Sequence, residues 1–169
     1  MVHMELSRII ISETNDEQVI VLKEVDGDRA FPIVIGIWEA VAIDRNIKGK
    51  KTPRPMTHDL IENVIAGLDC TLDRIIVTEL KDRTFYARLV LRRSGKMVEV
   101  DSRPSDAIAL ALRTKSPIYV AKAVLEASSV LQQSDEGKEP PVENISNVSQ
   151  EKWSEILEKM GPGDFKYKQ

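Results

Sequence analysis

The chain has 169 residues, of which 42% are apolar, 30% charged and 5% aromatic, a globular profile with room for one sizeable core. Its apolar runs, such as Ile9–Ile11 and Ala107–Leu112, fall far short of the roughly 18 residues of a membrane-crossing helix, and MVHMELSRII lacks a leader pattern, so a cytoplasmic protein with no membrane contact is expected. The lone Cys70 excludes an internal disulfide and a thiolate zinc site, and the net charge of −3 arises after residue 127, leaving a neutral body without the uniformly basic surface of a strong nonspecific nucleic-acid binder.

Met4–Ser12, Gln18–Val25 and Arg29–Gly36 read as three strands joined by Asn-Asp and Asp-Gly turns. A helix is predicted over Ile37–Ile47. After the prolines at 53 and 55, Thr57 is the expected N-cap of a second helix reaching about Leu68. Strands follow over Leu72–Glu79, Thr84–Arg92 and Lys96–Val100, then a helix over Pro104–Thr114, a short strand at Ile118–Val120 and a helix over Ala121–Ala127. Residues 128–150 are rich in Ser, Gln, Glu, Pro and Asn and read as a flexible linker. Trp153, Ile156, Leu157 and Met160 then recur at helical spacing, which predicts a short amphipathic helix and tail over 151–169.

Two strings recur in register. LSRIII at Leu6–Ile11 matches LDRIIV at Leu72–Val77, and EAVAI at Glu39–Ile43 matches DAIAL at Asp106–Leu110. Together with the element order they predict an α+β domain built from duplicated βββα units. Packed about a pseudo-two-fold axis, such units would set Glu39 and Asp106 facing one another.

The chemistry-bearing residues concentrate in GIWEAVAIDRNIKG, PRPMTHDL and DSRPSDAIALALR. Phosphodiester hydrolysis needs an activated water and charge stabilisation on the phosphate oxygens, which carboxylates holding Mg²⁺ or Mn²⁺ supply. Glu39, Asp59, Asp101 and Asp106 are the candidate ligands. His58 is a candidate acid or base, and Arg54 and Arg103 offer forked donors to phosphate. Lys50 and Lys51, in a cluster with Arg45, Lys48 and Arg54, suit a phosphate backbone; with no aromatic residues among them, the expected contact is electrostatic and sequence-tolerant. Structural roles compete at each position. Asp59 and Asp106 sit where a carboxylate complements a helix start, Glu39 could pair with a structural arginine, and Asp101 with Arg103 could be a local ion pair. No P-loop, GxGxxG, HExxH or GxSxG motif is present.

PIVIGIWEAVAI, TPRPMTHDLIENVI, RTFYARLVL and, most specifically, VDSRPSDAIALALR followed by PIYVAKAVL resemble the bifunctional nuclease domain family over about Met4–Ala127. The resemblance implies an α+β domain, a homo-oligomer and cleavage of both DNA and RNA. It implies Glu39, His58, Asp59, Asp101, Arg103, Ser105 and Asp106 as the motif positions. The alternative is a non-catalytic interaction or regulatory module in which these motifs maintain helix starts and subunit contacts.

Overall fold

The computed structural model describes residues 1–11, 18–134 and 143–144. Strands β1 (Val2–Ile11), β2 (Gln18–Glu24) and β3 (Ala30–Ile35) precede helices α1 (Ile37–Ile47) and α2 (Thr57–Gly67). Next come β4 (Cys70–Lys81), β5 (Thr84–Arg93), β6 (Lys96–Ser102), α3 (Pro104–Thr114), β7 (Ile118–Val120) and α4 (Lys122–Ser134). The two-residue β8 (Glu143–Asn144) pairs with Ile10 and Ile11 of β1. This is the expected α+β architecture.

The main sheet runs in the order β3-β2-β1-β7-β4-β5-β6. Two antiparallel meanders therefore flank β7, which pairs antiparallel with β1 and parallel with β4. The shared LSRIII and LDRIIV strings carry matching irregularities, since the register shifts between Leu6 and Arg8 in β1 and between Leu72 and Arg74 in β4. A bulge at this place bends each strand and strengthens its twist. The hairpins of the second meander turn on Asp82-Arg83 and Ser94-Gly95, all four at positive φ, the geometry whose twist matches that of the flanking strands.

Ile75, Ile76 and Val77 are all buried. Because successive side chains point to opposite faces, both faces of β4 are covered here. Ala107–Ala111 of α3 is buried without a break, and α3 packs on α1, α2, β4 and β5. Phe31 meets Phe85 edge to face at 5.3 Å, joining the two meanders across the core. β6 is the exception, exposed along almost its whole length at the sheet edge.

Several boundaries move. Thr57 is the first helical residue of α2, and Met56 is its N-cap; the Asp59 carboxylate accepts a hydrogen bond from the Met56 N–H at 2.9 Å, the back-reaching half of a capping arrangement. The last helix begins at Lys122 and continues to Ser134, into the stretch read as linker, because Val124, Leu125 and Ser128 face inward. The rest of the linker apart from β8, the Asn-Asp turn and the C-terminal helix and tail lie outside the described residues. Among the described residues no helix is long and apolar enough to cross a membrane.

Candidate active site

Glu39, Asp59 and Asp106 occupy the same place in three helices, the third residue of α1, α2 and α3 respectively. A carboxylate there complements the unpaired N–H groups and positive end of the helix. The helices themselves start where the chain dictates. Gly36 ends β3 and caps α1, and a Cβ on it would lie 2.4 Å from Glu39 Oε2, so this glycine leaves the carboxylate its space. Pro104 follows Arg103, which it keeps extended, and opens α3.

The first turns of α1 and α3 meet at Arg103, and that of α2 joins them through His58 and Asp106. Its Nη1 reaches Glu39 Oε1 at 2.8 Å, while Nε and Nη2 donate to Asp106 Oδ2 and Oδ1 at 2.6 and 3.1 Å. Glu39 and Asp106 do face one another, bridged by this guanidinium. His58, buried at the second position of α2, places Nε2 3.0 Å from Asp106 Oδ1. Burial pushes the Asp106 carboxyl up, but the hydrogen bonds from His58 and Arg103 and the Arg103 charge outweigh it and hold the group at about 2, below its ordinary 3.8. An ionised carboxylate only accepts, so Nε2 carries the proton of this bond and Nδ1 is the ring nitrogen left for exchange.

A second arginine locks the floor. Arg113, 6% exposed, donates from Nε to Asp59 Oδ1 at 2.8 Å, from Nη1 to the Ala109 carbonyl at 2.9 Å and from Nη2 to the Ala42 carbonyl at 3.3 Å. It thereby ties α3 to α1 and α2. The Arg113 hydrogen bond, assisted by the Met56 N–H and the Arg113 charge, lowers the Asp59 carboxyl against the opposing effect of burial.

These groups line a cleft of about 810 Å³, within the roughly 300–1,000 Å³ of small-molecule sites. Arg45, Lys50 and Lys51 add positive charge to the lining, and Trp38, Pro53 and Met56 contribute apolar surface. The expected residues thus divide. Glu39, His58, Asp59, Asp106, Arg103, Lys50 and Lys51 come together, whereas Arg54 and Asp101 do not line the cleft. Asp101 stands on the exposed edge strand opposite Arg88 of β5, and Arg103 turns to Glu39 and Asp106 instead of pairing with it.

The proposed metal set of Glu39, Asp59, Asp101 and Asp106 is divided by the same geometry. Among the described residues no three His, Cys, Asp or Glu side chains are grouped to hold a metal ion. Of the carboxylates that do converge, Glu39 Oε1, Asp59 Oδ1 and both oxygens of Asp106 accept from arginine donors, and Asp59 Oδ2 accepts from the Met56 N–H. This arrangement does not fit a resident Mg²⁺ or Mn²⁺, which needs those oxygens as ligands.

Sequence reasoning missed Arg113 and Trp38. Arg113 closes the DSRPSDAIALALR string seven residues after Asp106, two helical turns on and therefore on one face with it. That spacing was the available signal.

Because the folded carboxyl of Asp106 titrates below its unfolded value, its contribution to stability is present above about pH 4 and is lost as the pH falls toward about 2. With solvent screening allowed for, the contribution at neutral pH is about 1–2 kcal/mol. In urea unfolding, the stability gap between wild type and Asp106→Asn is expected to be wide near pH 7 and to narrow near pH 2; a gap independent of pH refutes the ion-paired carboxylate.

The sequence profile of the bifunctional nuclease domain matches residues 20–133. An uncharacterized protein of Mycobacterium tuberculosis is 40% identical over 158 residues, covering 94% of each chain. Bifunctional nuclease 1 of Arabidopsis thaliana is 30% identical over 107 residues, 61% of this chain and 33% of that protein. Bifunctional nuclease 1 of Oryza sativa subsp. japonica is 26% identical over 118 residues, 68% and 36% of the two chains. This chain therefore aligns with about a third of each plant protein, and it belongs to the bifunctional nuclease domain family.

Proposed function

We propose that the chain is a nuclease that hydrolyses phosphodiester bonds of DNA and RNA at the cleft between the first turns of α1, α2 and α3. The observation that carries this reading is the chain of contacts Glu39–Arg103–Asp106–His58 in a cleft that Arg45, Lys50 and Lys51 also line. Family membership and the names of the plant relatives support it.

In this reading Arg45, Lys50 and Lys51 draw the polyanionic strand into the cleft. Arg103 presents its charge to the non-bridging oxygens, where negative charge grows during attack. His58 exchanges a proton at Nδ1 with the attacking water or the departing oxygen, while Asp106 fixes the ring through Nε2–H. Glu39 and Asp106 are positioning residues, acting through Arg103 and His58. No step is assigned to a divalent ion.

The test is cleavage of single-stranded DNA, duplex DNA and RNA by wild type and by folded Glu39→Ala and Asp106→Ala proteins from identical preparations. Wild-type cutting that falls in both variants is the expected result. Parallel reactions with Mg²⁺, Mn²⁺ or EDTA report whether the reaction needs an ion that these carboxylates do not hold in this arrangement. Equal cutting by all three proteins, or none by any, rejects the site. It would leave the interaction-module reading, which the capping bond from Asp59 to the Met56 N–H favours.

A further inference from the structure

Resting on this nuclease reading, we infer that Trp38 is a stacking platform for an unpaired nucleobase, so that the cleft takes single strands in preference to duplex. Trp38 is the second residue of α1, adjoining Glu39, and lines the cleft while 50% exposed. Scattered apolar residues on a surface are ordinary. An exposed indole lining the same cleft as Arg45, Lys50 and Lys51 is different, because apolar ring and positive charge match the two halves of a nucleotide.

The flat apolar base and the charged phosphate need opposite surroundings. Met56 and Pro53 add apolar surface to the cleft that Trp38 lines, and Lys50 and Lys51 supply positive charge to the same cleft. A basic groove joined to an exposed aromatic face is how proteins hold single strands without reading sequence, since every base has a π-face. In a duplex interior that face is already covered by its neighbours. A base must be unpaired, or at a strand end, to reach the indole.

Trp38 and Trp153 are the two tryptophans of the chain, so a Trp153→Phe protein reports from Trp38 alone. Stopped-flow mixing with a thymidine oligonucleotide, a matched abasic strand or a blunt duplex separates the contributions of base and phosphate before cutting accumulates. The thymidine strand is expected to quench Trp38 fluorescence, and the abasic strand to bind, by anisotropy of a labelled strand, without quenching. Trp38→Ala should weaken thymidine-strand binding about 5- to 100-fold and leave abasic-strand binding unchanged. Trp38→Phe, which keeps a ring, should retain most of the affinity and guards against a folding artefact.

Equal affinity of wild type and Trp38→Ala for the thymidine strand overturns the inference while leaving the nuclease reading standing. So does equal quenching by abasic strand or duplex. Failure of every strand to bind removes the nuclease reading itself.

Discussion

Replacing His58 by alanine is expected to lower the turnover of phosphodiester cleavage by about 10²–10⁴-fold, the usual worth of a positioned acid or base. The ring is buried and its Nε2–H is committed to Asp106, so its orientation and tautomer are fixed before substrate arrives. Loss of the imidazole removes the proposed proton carrier, while the contacts of Arg103 to both carboxylates do not involve His58. The pH–rate profile should then lose the limb that reports this proton transfer, a change that damage to folding alone does not produce. His58→Ala turnover within a few-fold of wild type, with an unaltered profile, would exclude His58 from the chemistry. Asp106→Asn should lie between the two, because its amide keeps the shape of the carboxylate but gives the ring and guanidinium a neutral partner.

The largest loss of stability is expected from Arg113→Ala, at about 2–4 kcal/mol. Arg113 is almost wholly buried and gives separate donors to a carboxylate on α2, a carbonyl on α1 and a carbonyl in its own helix. Truncation leaves Asp59 without its main counter-charge and opens a gap between three helices. Asp59 keeps its bond to the Met56 N–H and is 37% exposed, which places the cost below that of a fully buried pair. A fall in melting temperature of about 5–15 °C is the corresponding readout. Arg113→Lys should recover only part of it, since an ammonium lacks the planar fork that serves partners in three directions. A variant as stable as wild type would show that the three contacts are incidental to folding.

Local pattern made most of the fold legible. α1, α3 and β7 fall at their predicted bounds because Gly36, Pro104 and the Ile-Tyr-Val run each act within a few residues. Met56 as the cap of α2 was hidden, since its side chain offers no capping oxygen and the satisfying group comes from Asp59 further along. In the site, the opposition of acid and arginine was visible as residue types but not as pairs. Nothing local tells Arg103 to prefer Glu39 of another helix to the nearby Asp101. Trp38 and Lys50 lie at opposite ends of α1 and its following loop, and only the fold brings them into one cleft. The absence of aromatics within the basic cluster therefore does not keep an aromatic residue out of the same cleft.

Glu39, His58, Asp59 and Asp106 all stand in the opening turn of a helix, the part of a helix with fewest intrahelical bonds and the first to fray. The strands and the buried middle of α3 carry the core, whereas the side chains of the proposed site stand on helix ends joined to one another through Arg103 and Arg113. On warming, loosening of these turns ahead of the sheet is expected to lower the activity of the proposed site below the temperature at which the core melts. A sample that still looks folded by circular dichroism is then expected to have lost that proposed activity, and to recover it on cooling without having to refold.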